Sequence, residues 1–377
     1  MTKKQDNSDS RETMTHTSKQ ETHSPIKVYP LPPQLLTSPY LDQLYTHMQE
    51  TSIDIRRLRP RHAIPELLLG RGKRILHLHF FDELTQHLRQ WQTILRSCGF
   101  LAILLLLRLR GVHVLWTAHN IQPHELHHPF WGFLVYRLVI RWSTSVIAHS
   151  HAAKDMLEAR YGPLNHCTII PHGSYVNMYG PLRDQSASRT QLNLPNAQPV
   201  FLNFGTLRPY KNLEMLIDAF AKLPVTARGT LLIIGAAKDQ DYASALQERT
   251  HTVQNVIVRN QFIPDDELPQ YLAAADAIVL PYRTMLTSGI LWWAMSYARP
   301  VVAPAFGPVT ELIHEGHEGF LFTPGNTDSL RAALARLLSN PDLSSMGAAS
   351  LKVAQQFAWP QIAAQTTQLY QDIVRET

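Results

Sequence analysis

Short apolar runs alternate with longer amphipathic segments along most of the chain, and this alternation starts twice. In the first half, runs typical of buried strands are separated by segments with helical periodicity, and after residue 199 the same order begins again. The pattern predicts an α/β fold with two doubly wound halves, each built around a parallel sheet. The predicted strands are 26–29, 74–80, 112–116, 144–148 and 167–170, then 199–204, 230–234, 256–258, 277–280, 301–303 and 319–322; the predicted helices include 40–51, 84–109, 129–143, 152–161 and 360–375.

Composition indicates where these halves begin and end. Residues 1–25 are polar and predict a disordered tail, which also lacks the apolar core of a signal peptide. Residues 179–198 belong to a stretch rich in Gly, Pro, Ser and Asn and predict an interdomain linker. We therefore expect domains at 26–178 and 199–355, with a C-terminal helix within 356–377 that can pack back on the first domain. Two such domains place a ligand cleft between the carboxyl ends of their strands.

Charge is distributed unevenly between the halves. Residues 1–190 hold 22 Lys+Arg and 14 Asp+Glu of the 35 and 30 in the chain, so the remaining 13 and 16 leave the second half acidic. A basic half suggests nucleic acid, a phosphorylated substrate or an acidic membrane as partner, although a solvated basic face explains the same count. Nucleic acid is disfavoured because no recognition motif accompanies the basic residues. The two cysteines are too few for a disulfide framework and favour a reducing, cytoplasmic location.

The most hydrophobic segment is 97–107, which is bounded by Arg96 and Arg108. Its 11 residues fall short of the about 20 that span a bilayer. One interpretation is a buried helix of the first domain. The other is a helix at the membrane surface, supported by the arginines around it and by the aromatic cluster 130–133.

Two loops of the second half carry residues suited to a diphosphate. After its first strand, Gly205 is followed by Arg208 and Lys211, which combine a planar fork with a point charge just before a helix. Farther on, Thr287-Ser288-Gly289 precedes another helix, whose N-terminal N–H groups and dipole attract anions. Each loop has a simpler explanation, namely a surface loop with two solvated cations and an ordinary helix cap.

With these loops, the chain resembles the GT-B glycosyltransferases, in the large family that contains sucrose synthases and bacterial mannosyltransferases. The resemblance implies two Rossmann-like domains that face each other across a cleft and transfer a sugar from a nucleotide diphosphate donor to an acceptor. It covers most of the chain beyond residue 25. The segments that carry it are 205–212, 232–235, 262–268, 271–276, 294–303, 307–313 and 319–321 in the second half, and 117–120, 148–150 and 170–173 in the first.

The resemblance also implies roles for individual residues of the second half. Those assigned to the donor diphosphate are Arg208, Lys211, Thr287, Ser288 and Gly289, and those assigned to the donor sugar or ribose are Gly205, Tyr282 and Glu311. Fixed cations and a helix N-terminus can stabilise the charge that grows on a leaving diphosphate. We therefore expect neither a metal nor a cofactor, with the nucleotide sugar as substrate.

Candidates for catalysis lie in the first half. His119 matches the family histidine that touches the donor sugar. If the reaction inverts the anomeric carbon, a general base is needed near the acceptor hydroxyl, and His124 or Glu125 could accept that proton. For each of them a loop residue that hydrogen-bonds the backbone is the simpler explanation. His77 and His79 share one face of a strand, where core hydrogen bonds explain them at least as well as catalysis.

One departure separates this chain from the family pattern. Where the family has two glutamates around the helix that Thr287-Ser288-Gly289 precedes, the chain has Met285 and Trp293. Neither side chain can accept hydrogen bonds from ribose hydroxyls or face the sugar as a carboxylate would. The chain is therefore similar to a divergent branch that includes bacterial exopolysaccharide glycosyltransferases, and neither retention nor inversion is predicted. We expect transfer from GDP-mannose or a UDP-hexose to a lipid-linked glycan or polysaccharide, with peripheral contact at the inner membrane face. The alternative is an inactive scaffold that binds a nucleotide sugar or a partner.

Overall fold

Two parallel six-stranded sheets form the framework of the structure. The computed structural model describes residues 25–34, 39–48, 52–181, 183–226 and 228–375. The predicted disordered tail therefore lies outside the described residues except for Pro25, as do residues 49–51 at the end of the first predicted helix. The prediction of two doubly wound α/β halves is confirmed.

The first domain contains six strands and six helices within the described residues. Its strands are β1 (Ile26–Leu31), β2 (Ile53–Ile55), β3 (Arg74–Leu78), β4 (His113–Thr117), β5 (Ser145–Ala148) and β6 (Cys167–Ile169). Its helices are α1 (Tyr40–Thr46), α2 (Pro60–Leu69), α3 (Asp82–Thr85), α4 (Gln90–Leu109), α5 (Pro129–Trp142) and α6 (His151–Tyr161).

The remaining elements belong to the second domain and its flanking helices. The strands are β7 (Val200–Phe204), β8 (Thr230–Ile234), β9 (Val256–Arg259), β10 (Ala277–Val279), β11 (Val301–Pro304) and β12 (Gly319–Phe322). The helices are α7 (Gln185–Gln191), α8 (Leu213–Ala221), α9 (Gln240–Thr250), α10 (Leu268–Ala274), α11 (Gly289–Ser296), α12 (Gly307–Thr310), α13 (Thr327–Leu338), α14 (Leu343–Ala354) and α15 (Trp359–Arg375), with a 3-10 turn at Pro209–Lys211.

Each sheet reverses its direction of growth at one point. The first sheet has the order β2-β1-β3-β4-β5-β6, so its reversal lies between β1 and β3. The second has the order β12-β11-β10-β7-β8-β9, which places its reversal between β7 and β10. Sheets of this kind bind ligands at the carboxyl ends of the strands beside the reversal. The loops after β3, β7 and β10 are therefore the expected positions of a site.

Alternating side chains of each strand enter different layers of the core. In the first sheet, Ile75, Leu115 and Ile147 belong to a layer shared with the second domain, whereas Leu76 and Trp116 belong to a layer with α4 and α5. This alternation follows from the two-residue period of a pleated strand. Because both faces are covered, the strands read as nearly continuous apolar runs in the sequence.

One apolar cluster passes through both domains and joins them. It includes Leu41 and Ile75 from the first domain, Leu202 and Ile278 from the second, and Trp359 at the start of α15. The helix α15 follows the second domain in the chain and contacts α1 of the first. The two reversal points are thus held at fixed positions relative to each other by apolar burial.

Hydrogen bonds reinforce this junction. The Tyr370 hydroxyl of α15 lies 2.7 Å from Nδ1 of the buried His77 on β3. Near the start of α15, the Ser174 N–H donates to the carbonyl of Phe357 at 2.8 Å. The Tyr175 N–H donates to Oγ of Ser296 in α11 at 2.9 Å. These particular buried polar groups therefore find partners across the junction.

Three segments differ from the predictions. Strand β2 and helix α2 were not predicted; β2 has only three residues, all partly buried, and only Ala63 and Leu67 of α2 are buried. The predicted helix 84–109 is two helices, because the Thr93 side chain hydrogen-bonds the backbone N–H and carbonyl of His87 and stabilises a turn between α3 and α4. Helix α7, which was not predicted, lies within the predicted linker 179–198. It is held by Arg189, which forms a salt bridge to Asp276.

Candidate active site

The loop after β7 brings a glycine and two cations together. Gly205 has φ of 88°, a left-handed conformation that favours glycine. A Cβ at this position would lie only 3.1 Å from Nζ of Lys211. The backbone at the predicted end of this strand therefore lies close to the ammonium group of Lys211.

Lys211 is only 4% exposed, and its Nζ donates to the Phe204 carbonyl at 3.1 Å. Its ammonium group also lies 5.8 Å from the centre of the Tyr282 ring. Burial, and then the charge of Arg208, lower the pKa of Lys211 to about 7. This buried ammonium group is therefore partly deprotonated near pH 7 when no anion is present.

Arg208 completes the pair of cations. Its Nε is buried and has no hydrogen-bond partner among the described residues. Within the described parts of the chain, neither Arg208 nor Lys211 forms a salt bridge with a carboxylate. Buried cations are usually paired, so this arrangement indicates a site for an external anion.

The loop after β10 faces this pair across the reversal point. Ser288 caps α11, and its Oγ accepts a hydrogen bond from the Leu291 N–H at 3.3 Å. The cap predicted as the simpler explanation is therefore present, and the N-terminal dipole of α11 begins at Gly289. The role of Thr287, Ser288 and Gly289 toward a diphosphate remains a prediction.

Met285 and Trp293 are buried apolar residues in the structure. The Trp293 ring stacks on Tyr175 and Tyr179, with ring centres 4.6 and 5.5 Å apart. Met285 is 4% exposed and lines the interdomain cleft. The positions where the family carries glutamates therefore contribute packing across the domain junction.

The cleft between the domains has a volume of about 250 Å³. Its wall from the second domain includes Thr287, Ser288 and Glu311, and its wall from the first includes His149 and His172. The structure thus brings three residues predicted from the second half together with histidines of the first. These histidines were not among the predicted site residues.

Glu311 directly follows α12, which begins at Gly307, with Pro308 in its first turn, and ends at Thr310. The Glu311 carboxylate accepts a hydrogen bond from the Ala152 N–H at 2.6 Å, in the first turn of α6. It acts as a dipole partner across the cleft, while its role toward a donor stays a prediction.

His119 belongs to a buried chain of histidines. Its Nε2 lies 3.3 Å from Nδ1 of His79, and its Nδ1 lies 3.4 Å from Nε2 of His149. The chain ends where Nδ1 of His149 meets the Ile170 carbonyl at 2.9 Å. At its other end, the Tyr45 hydroxyl lies 2.7 Å from Nε2 of His79.

The direction of this chain follows from its ends. A carbonyl oxygen only accepts, so in neutral rings the proton of His149 is on Nδ1, and the same tautomer follows for His119 and His79. Burial, followed by neighbouring histidines, lowers the pKa of His119 well below its usual value, and burial lowers that of His149 to about 4. Both nitrogens of His119 are thus used inside the fold. Its contact with a donor sugar stays a prediction.

His77 and His79 also form core hydrogen bonds, which is the alternative that the sequence left open. His77 Nε2 lies 2.8 Å from Oγ1 of Thr117, and its Nδ1 meets the hydroxyls of Tyr45 and Tyr370. Among the residues described, no group of three or more histidine, cysteine or acidic side chains could hold a metal ion. We interpret the cluster as a polar core beneath the cleft.

The other two predicted catalytic residues lie beside the loop after β7. The His124 ring stacks on Tyr210 with 4.7 Å between ring centres. Desolvation, followed by the charges of Arg208 and Lys211, lowers the pKa of His124. Glu125 is exposed and lies 3.6 Å from Nζ of Lys238 in the second domain. His124 is therefore close to the paired cations, and Glu125 is at the rim.

Asp82 is a carboxylate that the sequence interpretation missed. It begins α3, just after β3 at the reversal of the first sheet, and accepts a hydrogen bond from the Tyr136 hydroxyl at 2.6 Å. Burial raises its pKa, while the bond from Tyr136, the His124 N–H and the charge of Arg208 oppose that rise. An acidic residue directly after a buried strand beside the reversal is the signal that could have identified it.

Two family matches divide the chain as the two sheets do. Residues 33–174 match the family Glycosyltransferase Family 4, and residues 198–340 match the family Glycosyl transferases group 1. The GDP-mannose:glycolipid 4-beta-D-mannosyltransferase of Xanthomonas campestris pv. campestris is 29% identical over 314 residues, which cover 80% of this chain and 82% of that protein. A D-inositol 3-phosphate glycosyltransferase of Streptomyces bingchenggensis is 26% identical over 61% of this chain and 53% of its own length.

Solved structures agree with this division. Sucrose-phosphate synthase from Thermosynechococcus elongatus superposes with a TM-score of 0.70 at 18% identity, covering 94% of this chain and 100% of that one. HepE from Anabaena, solved with UDP and glucose, has a TM-score of 0.66 at 20% identity, covering 92% and 99%. At these identities the likeness concerns the fold. The chain is a glycosyltransferase with the GT-B fold, composed of a family 4 domain and a group 1 domain.

The histidine cluster predicts how stability depends on pH. Burial and the charge of His149 lower the pKa of His172 to about 3, so the unfolded chain binds more protons than the folded one between about pH 6.5 and 3. Stability should therefore fall as the pH drops below 6.5. His172→Phe, which keeps a ring stacked on Trp292, should reduce the slope by up to about 1.4 kcal/mol per pH unit.

Urea unfolding of the wild type and His172→Phe between pH 4.5 and 7 measures these slopes. His166→Asn is the control, because that side chain is exposed in the folded protein and should leave the slope unchanged. Equal slopes for the wild type and His172→Phe would contradict the expected proton uptake.

Proposed function

We propose that this glycosyltransferase moves a hexose, with mannose from GDP-mannose as the first candidate and a UDP-hexose as the second, to a lipid-linked glycan or polysaccharide. The observation that carries the proposal is a pair of cations at the sheet reversal, the buried Lys211 and the partly buried Arg208, which have no carboxylate partner within hydrogen-bonding distance among the described residues. The Xanthomonas relative is named for GDP-mannose and a glycolipid, and HepE was solved with UDP and glucose.

In the proposed reaction, the sugar–phosphate bond breaks and the nucleoside diphosphate leaves with increased negative charge. Lys211 and Arg208 face that charge from the loop after β7, and the N-terminus of α11 faces it from the loop after β10. Charges fixed before the reaction need no reorganisation during it, which is why such sites lower the barrier. No metal ion is invoked in this proposal.

The first test uses the pH dependence of donor binding. A bound diphosphate should raise the pKa of Lys211 above its value of about 7 in the empty site, so binding takes up a proton. Affinity for GDP-mannose should then be full below pH 7 and fall with rising pH, by up to about tenfold per unit. Titration calorimetry from pH 6 to 9 measures this, since the donor's diphosphate diester does not titrate in that range.

Lys211→Met should weaken donor binding at pH 6 by about 10- to 100-fold, the typical contribution of one or two hydrogen bonds to a charged group, and should abolish the pH dependence. Lys222→Met is the control, because Lys222 is exposed and pairs with Asp328 outside the site. Binding by Lys211→Met equal to wild type, for both GDP-mannose and UDP-glucose, would refute the proposed donor site.

A general base is required if the sugar is transferred in one inverting step. We propose Asp82 for this role, since it lies at the reversal of the first sheet, within electrostatic reach of Arg208 across the cleft. The name of the Xanthomonas relative specifies a β-mannoside, whereas GDP-mannose carries its sugar in α linkage. The proposed reaction would therefore invert the anomeric carbon.

Asp82→Asn should lower kcat by about 100- to 10,000-fold and leave donor affinity unchanged, because the amide keeps the shape but cannot take the proton. The acidic limb of the pH profile of kcat/KM should also disappear. Glu83→Gln is the control, since Glu83 is exposed and pairs with Lys238. Transfer by Asp82→Asn at more than half the wild-type rate would remove Asp82 from the mechanism.

The substitution of the family glutamates by Met285 and Trp293 favours one competing candidate, an inactive scaffold that binds a nucleotide sugar. This candidate predicts donor binding without turnover for any acceptor. Product analysis with GDP-mannose, UDP-glucose and an extracted lipid-linked glycan fraction separates the two. Transfer of radiolabelled hexose establishes the enzyme, and binding without transfer supports the scaffold.

We also propose that the first domain rests on an anionic membrane through α4. This helix is long and apolar enough to span a bilayer by length and composition, and only 28% of its most apolar part is buried in the fold. Within residues 97–107, one face of the helix is buried in the core through Ser97, Leu101, Leu104 and Leu107, and the other positions are exposed or partly exposed. Residues 84–150 contain six arginines and one acidic residue, a charge balance suited to anionic lipids.

The double variant Trp91→Gln with Leu95→Gln should bind vesicles containing anionic lipid at least about tenfold more weakly, because both side chains are more than half exposed and would lose apolar contact with lipid. Vesicle sedimentation measures this. Val225→Gln with Phe262→Gln, which alters exposed apolar residues of the second domain, is the control. Equal binding by all three proteins would contradict contact through α4.

A further inference from the structure

A groove of about 320 Å³ lies between α2 and α4, away from the interdomain cleft. Apolar side chains dominate its lining, and Arg96 is the only charged residue among those that line it. Its volume is in the range of small-molecule sites, which are typically about 300 to 1,000 Å³. The groove is thus large enough for an apolar ligand and provides one cation at its wall.

The helix beside this groove has apolar residues on both faces, since Leu101, Leu104 and Leu107 are buried in the core while seven other large apolar side chains of α4 are exposed. In its first half the buried positions are Thr93 and Ser97, whose hydroxyls bond backbone carbonyls of the residues before α4. The outward positions there are Trp91, Ile94 and Leu95. Of the 13 large apolar side chains that are exposed among the described residues, 11 lie between residues 69 and 130. Such a concentration indicates contact with an apolar partner.

The position of the groove relates it to the site. Leu31, the last residue of β1, and Leu84, two residues after Asp82, both line it. The groove therefore reaches the carboxyl edge of the first sheet, next to the loop that carries Asp82. A chain lying in the groove would emerge beside the acceptor side of the cleft.

We propose that this groove binds the hydrocarbon chain of a lipid-linked acceptor, with the exposed face of α4 directed to the membrane from which that lipid comes. The proposal rests on the glycosyltransferase function proposed above and specifies the acceptor class. The surplus of arginines in residues 84–150 complements the phosphate that links such a glycan to its lipid. Residues 1–24 are an unsuitable occupant, because Met1 and Met14 are their only large apolar residues.

Gly99 offers a clean test of the groove. It lies within α4 and lines the groove, and a Cβ at this position would meet no atom within 4 Å. Gly99→Phe should therefore obstruct the groove without displacing core atoms. Gly99→Ala is the matched control, since it adds one methyl group and replaces glycine inside a helix, which favours folding. Thermal unfolding verifies that both variants fold.

The kinetic measurement compares two acceptors that share one glycan, one on its natural lipid and one on a propyl aglycone. Gly99→Phe should raise KM for the lipid-linked acceptor at least tenfold, while kcat/KM for the propyl acceptor and affinity for GDP-mannose stay at wild-type values. Gly99→Ala should match the wild type with both. Equal effects of Gly99→Phe on the two acceptors, or none, would overturn the proposal.

A direct binding measurement tests the groove independently of the proposed glycosyl transfer. Pyrene-labelled dodecanoate should bind the wild type and Gly99→Ala saturably, and Gly99→Phe at least tenfold more weakly. If no acceptor is glycosylated but the probe binds in this pattern, the proposed function is wrong and the proposal of a lipid-binding groove is supported. If the wild type does not bind the probe, the groove proposal fails. It fails also if sedimentation reveals a dimer that Gly99→Phe dissociates, since a second copy would then cover the groove.

Discussion

The apolar cluster shared by the two domains is the contact on which the rest of the structure depends. It joins residues of both sheets to Trp359 at the start of α15 and keeps the reversal points of the sheets opposite each other. Apolar burial supplies the free energy, and hydrogen bonds such as Tyr370 to His77 satisfy polar groups within it. Trp293 and Met285 are part of this cluster. Residues that replace family glutamates thus hold together the wall of the cleft.

Burial of ionisable groups at this junction has an electrostatic consequence. Lys211 has a pKa lowered to about 7, and the buried histidines are neutral at that pH. Both effects arise because charge is unfavourable where water is excluded. The difference lies in their partners: the histidines satisfy one another in a directed chain, whereas Lys211 and Arg208 have no carboxylate partner among the described residues. The pair Lys211 and Arg208 is therefore favourable for an incoming anion, and the histidine chain is not.

The surface of the first domain raises the opposite question, because there apolar groups are exposed to water instead of charged groups being buried. Helix α4 turns Thr93, Ser97 and three leucines inward, and it leaves other large apolar side chains exposed. In water this orientation exposes apolar surface at a cost, and the proposed contacts with a lipid surface and a lipid chain would remove that cost. The acceptor side of the cleft would then belong to the domain with many exposed apolar residues, and the donor side to the domain with few.

The sequence alone is sufficient to predict the class of fold and most of its strands, because apolar runs and helical periodicity repeat in both halves. It also indicated the loops carrying Arg208, Lys211 and Ser288, since glycine and cations follow strands whose carboxyl ends bind ligands in this class. These features depend on neighbours in the chain.

Tertiary structure decided what depends on distant neighbours. It joined His79, His119 and His149 into one hydrogen-bonded chain, moved Glu311 to the N-terminus of α6, and set Asp82 within reach of Arg208. It also showed α4 to be largely exposed rather than buried. Residue type and local spacing do not specify which side chains meet when two sheets pack, and that packing determines burial, pKa and access to the cleft.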